Sequence, residues 1–310
     1  MKIFVGITDS DWFDILSNLP NIDEVNFWQP SGKTQFRALK PGEPFLFKLH
    51  SPLNYIVGCG FFAHSTILPS SLAWDAFGEK NGAFSLQEMR DRIIKYRRKT
   101  SDPFEDFRIG CVLLEHPIFF DKSDWIPVPI DWSPNIVIGK SYDINSEPGK
   151  SVWNKIQLLI SSRSDFESGQ LWVEEERARF GSEVLIKPRL GQGSFKILVT
   201  DAYNRSCAIT KEKALPVLEA SHIKPYSQEG PHDVKNGVLL RSDMHKLFDR
   251  GYLTITPKLN IEISRRIREE FDNGEYYYNF HGKNIQEPIN PSYHPLKEFL
   301  IWHNDNLFRG

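Results

Sequence analysis

Lys2 to Thr8 places the apolar Ile3, Val5 and Ile7 on one side, and this period of two predicts a strand. Asp9 or Ser10 is placed to cap a short helix running to Leu19. The following NFWQPSGKTQFRALKPGEPFLFKL is aromatic, broken by Pro and Gly, and ends in a predicted strand at Pro44–Leu49. Residues 55–63 and 109–120 read as further strands, and 126–130 and GKSYD close the unit. A stretch dense in large residues, LPSSLAWDAFGEKNGAFS, and a basic helical segment lie between them. Pro148-Gly149 breaks this pattern; Val152, Ile156, Leu159 and Ile160 then fall at helical spacing, ahead of the charged LWVEEERARFG. Further on, a short apolar run ends on His222, and a Pro/Gly-broken polar loop leads to Asn236. The apolar Gly-Val-Leu-Leu follows, and Ser242 starts a helical pattern: strand, loop, strand, helix. A hairpin about Pro257, a helix capped by Ser264 and stopped near Gly274, the aromatic YYYNF and a helix over 295–308 complete the chain. The expected class is α+β, with a strand-rich domain over 1–145, a helical connector over 146–182 and a second domain over 183–310.

Composition supports two domains. The 310 residues, 40% hydrophobic and 13% aromatic, suffice for two cores of ordinary size. No apolar window approaches the length of a membrane span, so no membrane partner is expected. The opening MKIFVGITDSDW has neither the long apolar core nor the small-residue cleavage site of a signal peptide, and the cytoplasm is the expected location. Cys59, Cys111 and Cys207 are odd in number and far apart, without CxxC spacing, which indicates neither a disulfide framework nor a cysteine zinc site. A formal net charge of -2 argues against a broad electrostatic coat for nucleic acid, so any DNA contact has to come from local patches. EMRDRIIKYRRK, which holds Arg97 and Arg98, carries six basic residues against two acidic ones; Arg189, Lys196 and Lys224 stand on the approach to His222 and beside it. Each patch reads equally well as a solvated face.

The spacing of His245 and Asp249 carries the chemistry. Positions i and i+4 share one face of a helix, so this imidazole and carboxylate can reach a common point and hold a divalent cation with positions left open. A histidine at the end of a facing strand, His222, is placed to act as general base on a water beside that ion. Taken singly, each residue has an ordinary reading: a packed histidine, a turn asparagine before Gly237, an exposed helical ion pair.

In their order and context, His222, Asn236 and His245 resemble the HNH nuclease motif of the ββα-metal fold, in the subgroup with an HxLFDxG ending. RLGQGSFKILVTDAYNRSCAIT (189–210) is similar to that subgroup's lead-in. The resemblance implies that His222 is the general base, that Asn236 pins the loop carrying it, and that His245, helped by Asp249, binds one divalent ion, Mg²⁺ or Mn²⁺, other divalent transition metals being possible. Family members usually carry an Asp or His ligand immediately before the base; here Ser221 stands there, a poorer ligand.

The first 145 residues resemble the PUA-like superfamily, nearest its EVE branch, through Asn26-Phe27-Trp28-Gln29-Pro30, LKPGEPFLFKL and the GCGFF…LPSSLAWDAFGEKNGA run. That implies a small curved sheet or barrel with a pocket for a base turned out of nucleic acid, for which Trp28, Gln29, Ser31, Trp74 and Asp75 are the candidates. Core packing is the competing role of the two tryptophans. Together the resemblances imply an endonuclease acting on double-stranded DNA that carries a modified cytosine (5-methyl or 5-hydroxymethyl), with a homodimer as one route to a double-strand break. Two alternatives stand beside it: an HNH nuclease indifferent to modification, and a non-catalytic reader, a weaker form of which builds a structural zinc site on Cys207, His222 and His245.

Overall fold

A computed structural model describes residues 1–97, 105–162 and 190–310. These residues fall into two compact units, the first reaching 162 and the second starting at Leu190.

The first unit runs β1 (Lys2–Thr8), α1 (Ser10–Ser17), β2 (Glu24–Gln29), β3 (Pro44–Leu49), β4 (Tyr55–Pro69), α2 (Ser70–Phe77), α3 (Leu86–Arg97), β5 (Arg108–Phe119), β6 (Ile126–Pro127), β7 (Gly139–Asp143) and α4 (Gly149–Ser161). The Asp9 carboxylate caps α1 by accepting the Trp12 amide at 2.7 Å. The strands form one mixed sheet in the order β2-β5-β4-β3-β1-β7, with β6 on β4; the path is open, and no pairing among the described residues closes it into a barrel. β1 and β3 are parallel, Phe4 opposite Phe45 and Val5 opposite Leu46, while the other pairs are antiparallel.

Both faces of the sheet are covered. Ile3, Val5, Leu46, Ile56 and Cys59 form one core, which Val152, Trp153 and Ile156 of α4 join. Phe27, Phe45, Phe47 and Trp12 make the opposite, aromatic layer, with Trp12 5.1 Å from Phe47 and Phe27 4.6 Å from Phe45. Burial of each such side chain contributes roughly 1.5–3 kcal/mol. Gly6 lets the Phe45 ring lie where a Cβ would be, 2.3 Å away. β4 extends beyond the alternating segment 55–63 because register shifts at Cys59/Phe61 and Phe62/His64 break the period of two while pairing with β5 continues to Pro69. β2 buries Glu24 and Asn26. Glu24 faces Glu115 across the ladder, and burial, reinforced by Glu24 and Asp23, pushes the Glu115 carboxyl up to about 9. The Lys80 ammonium answers this acidic group, 2.5 Å from Asp23 and 3.2 Å from Glu24.

The second unit comprises α5 (Gln192–Ala202), β8 (Leu218–His222), β9 (Gly237–Arg241), α6 (Ser242–Asp249), β10 (Leu253–Ile255), β11 (Ile261–Ile263), α7 (Arg266–Phe271), α8 (Glu275–Tyr278) and α9 (Lys297–Asn306). β8 and β9 pair antiparallel with His222 opposite Gly237, and β10–β11 is the hairpin about Pro257. Phe195 and Val199 of α5, Val238 and Leu240 of β9, Met244 and Phe248 of α6, and Leu300 of α9 share one core. No helix among the described residues is long and apolar enough to cross a membrane.

Candidate active site

β8, β9 and α6 occur in the predicted order and bring His222, His245 and Asp249 to one open cleft of about 450 Å³, lined also by Phe195, Lys196, Glu219 and Tyr226. His222, half-buried at the end of β8, stacks on the buried Phe195 ring at 3.9 Å and 12°. Burial first, then the neighbouring His232 and His245, push its imidazole down to about 4 against the opposing pull of Asp249. At neutral pH the ring is therefore uncharged and able to accept a proton.

Asn236 is fully buried behind it. Its amide donates to the carbonyls of Lys224 (2.9 Å) and Pro231 (3.0 Å), its side-chain oxygen accepts the Lys224 amide (2.9 Å), and its own carbonyl accepts the Ile223 amide (2.8 Å). One side chain thus satisfies both ends of the 223–236 loop.

On α6, His245 lies between two carboxylates. Nε2 is 3.2 Å from Asp249, one turn on, and Nδ1 is 2.5 Å from Glu219 of β8. Burial alone would lower this imidazole's pKa, but the hydrogen bonds to Asp249 and Glu219 outweigh it and raise it. Glu219 was not singled out in the sequence, because its partner stands 26 positions away and only the strand–helix packing joins them.

Ser221 is fully buried, its hydroxyl donates to the His222 carbonyl, and it is not among the residues that line the cleft. Cys207 is also buried, its Sγ accepting the amides of Thr210 and Arg241 at 3.3 Å. Among the described residues no three His, Cys, Asp or Glu side chains are grouped to hold a metal unaided, which removes the zinc site on Cys207, His222 and His245.

Of the basic candidates, Lys196 lines the cleft, while Lys224 lies with its ammonium 5.8 Å over Trp302. Arg97 is engaged within the first unit: its guanidinium donates to the Pro30 carbonyl at 2.7 Å and to that of Arg108, and covers the Phe107 ring at 4.3 Å. Arg90 and Arg92 likewise bind the carbonyls of Glu105 and Gly82, so much of this basic helix is spent on structure rather than on a free cationic face. Arg98 and Arg189 lie outside the described residues.

The first unit has a cavity of its own, about 100 Å³, lined by Thr8, Asp9, Trp28, His50 and Tyr96 among others. Trp28 is one of its walls, its indole N–H held by the Asn81 carbonyl at 2.9 Å. Tyr96 stands 6.2 Å from Trp28, stacks parallel to His50 at 5.9 Å and donates its hydroxyl to Asp9 at 3.3 Å. Burial, then Asp9, push the Tyr96 phenol up to about 12. Gln29, Ser31, Trp74 and Asp75 do not line this cavity: Gln29 packs beside Gly110, the Ser31 hydroxyl accepts the Lys33 amide, and Trp74 and Asp75 sit on α2. Trp74 is nominated for its aromatic face and the other three for lying near the two tryptophans in sequence, whereas the cavity is lined from β1, α1, β2 and α3 and from Asp9, Pro30, His50 and Val137 between them.

Residues 207–256, which contain this cleft's strands and helix, match the HNH endonuclease family. This segment is an HNH endonuclease domain. No curated protein matches the chain. Among solved structures, the ASCH protein of Zymomonas mobilis is similar at 14% identity and a TM-score of 0.30, covering 51% of this chain and 94% of that one. The modification-dependent TagI restriction endonuclease is similar at 12% identity and a TM-score of 0.28, covering 98% of this chain and 81% of its own. At such scores the fold reading rests on the strand pairing described above. Within the HNH domain, the residues placed by order and spacing, His222, Asn236, His245 and Asp249, fall at or directly behind the cleft.

Proposed function

We propose that the chain is a metal-dependent DNA endonuclease that hydrolyses a phosphodiester bond near a modified cytosine. The observation that carries the nuclease reading is the convergence, inside the HNH domain, of a neutral imidazole at His222 and an imidazole–carboxylate pair at His245 and Asp249 on one open cleft. His222 takes the proton from the attacking water, and Asn236 holds the loop behind it. Lys196 supplies a positive charge for the phosphate.

The donor set of the cleft fits one divalent ion, Mg²⁺ or Mn²⁺. His245 Nε2 and Asp249 offer two ligands and leave positions for water and phosphate, while Glu219 accepts at Nδ1 and keeps the imidazole oriented. When bound, such an ion stabilises charge on the phosphate and the leaving oxygen.

The cavity of the first unit supports the modification-dependent half of the reading. Trp28 and Tyr96 provide aromatic faces, and Asp9 provides an acceptor for the amino edge of a turned-out cytosine. The PUA-like, EVE-type assignment of this unit belongs to the same proposal. A single cleft cuts one strand at a time, so a double-strand break takes two visits or a homodimer.

Matched plasmids, unmethylated and cytosine-methylated, incubated with Mg²⁺ or Mn²⁺ test both halves. The reading expects cutting of the methylated plasmid alone. Equal cutting of both would leave an HNH nuclease without modification dependence, and retained binding without cutting would leave a non-catalytic reader.

A further inference from the structure

The 223–236 loop brings a second imidazole against the proposed base. His232 Nδ1 lies 2.9 Å from His222 Nε2, with the rings 5.0 Å apart and inclined at 58°. The pair is clamped from both ends: Phe195 stacks on His222, and the exposed Tyr226 ring stacks on His232 at 4.6 Å and 12°. Asn236 fixes the same loop by its bond to the carbonyl of Pro231, the residue immediately before His232.

One hydrogen sits between two neutral imidazole nitrogens at this distance, so the pair has two arrangements. If His232 donates from Nδ1, the Nε2 lone pair of His222 is occupied, its hydrogen is on Nδ1, and the ring has no lone pair left for water. If His222 donates from Nε2, its Nδ1 lone pair is vacant. His222 Nδ1 makes no hydrogen bond among the described residues, and the ring lines the cleft. Only the second arrangement lets His222 act as a base.

We propose that His232 is the positioning residue of this site, accepting the His222 Nε2–H at its Nδ1 and so fixing the tautomer whose Nδ1 can take a proton from water. The inference rests on the reading of His222 as general base. In the hydrolysis, water gives one proton to His222 Nδ1 as its oxygen forms a bond to phosphorus. The opposite phosphorus–oxygen bond breaks, and the leaving oxygen takes a proton from solvent. His222 then releases its extra proton to solvent, and the Nε2–H stays on the His232 side throughout. A histidine acceptor does here what a carboxylate does in other base–orienter pairs, without adding a negative charge near the phosphate.

Two measurements on the intact chain test this. The ¹⁵N shifts of the His222 ring are expected to report hydrogen on Nε2 and none on Nδ1 near neutral pH; the opposite tautomer would overturn the proposal. In the plasmid assay, His232→Ala is expected to lower kcat about 10- to 100-fold, the usual loss when the partner orienting a functional imidazole is removed. His232→Asn, whose amide oxygen can stand near the Nδ1 position, is expected to restore most of that rate. Equal loss in the Ala and Asn variants, or no loss in either, would contradict a hydrogen-bonding role. A wild-type chain that cuts no DNA would sink the nuclease reading instead, and the nitrogen shifts would still decide how the pair is arranged.

Discussion

His222 and His303 are both held neutral by burial, yet only His222 of the two opens on the cleft. In His303, Nε2 donates to the Phe248 carbonyl at 3.1 Å and Nδ1 accepts the Thr254 hydroxyl at 2.8 Å, so the ring is satisfied and sealed in the core. Burial depresses its pKa to about 4. The unfolded chain binds that proton near pH 6.5, so below this pH unfolding takes up a proton that the native state refuses. Stability is therefore expected to fall from about pH 6.5 down to about pH 4, by up to about 3 kcal/mol from this residue, and to be flat in this respect above pH 7. His222 adds a contribution of the same sign. Urea melts across this range would show the slope, and His303→Gln should flatten it in part; an unchanged slope would contradict the assignment. Asn236→Ala leaves the Lys224 and Pro231 carbonyls and the Lys224 amide without their part-buried bonds to this side chain. A loss of about 1–3 kcal/mol is expected in the same melts, since a buried group left unsatisfied costs roughly 1–3 kcal/mol and these groups, only partly buried, regain some of it from water.

Among the elements of the second unit, β9, α6 and the β10–β11 hairpin were legible because each obeys one period, whereas α5 and α8 were not read as helices. β9 is a short apolar run bounded by turn residues, and the i, i+4 spacing on α6 needs no tertiary knowledge to place His245 beside Asp249. Glu219 and His232 were not legible. Their roles depend on the register of β8 against β9 and on the course of the loop, which no local pattern encodes. β2 escaped for another reason: Glu24 and Asn26 are polar residues in a buried strand, and the Asn26 amide donates to the Asn81 side-chain oxygen 55 residues away. The packing of α5 on β9 is also invisible in one dimension. A Cβ at Gly237 would stand 2.3 Å from a Val199 methyl and 3.1 Å from the Phe195 ring that supports His222. Gly237→Ala is thus expected to destabilise by about 1–3 kcal/mol through overpacking and to reduce cutting as well. Wild-type melting and cutting in this variant would show that the gap closes harmlessly.

At the scale of the whole molecule, a nearly neutral chain has little general attraction for DNA, and the basic helix α3 spends Arg90, Arg92 and Arg97 on its own unit. Selection of substrate then falls to shaped sites. Composition suggested two units, and the cavity of the first shares only Trp28 with the residues nominated from sequence, because Asp9, His50 and Tyr96 come from three separate segments. Tyr96→Ala is expected to erase the preference for methylated over unmethylated DNA while leaving the HNH domain's melting unchanged. A variant that still discriminates would move the reader elsewhere.

The most direct test of the account is the rate of plasmid cleavage by the wild-type chain and by His222→Ala, measured side by side with Mg²⁺ or Mn²⁺ on cytosine-methylated DNA. Loss of a general base predicts a fall of about 10²- to 10⁴-fold in the variant at unchanged DNA binding. Equal rates in the two proteins would show that His222 does not carry the reaction.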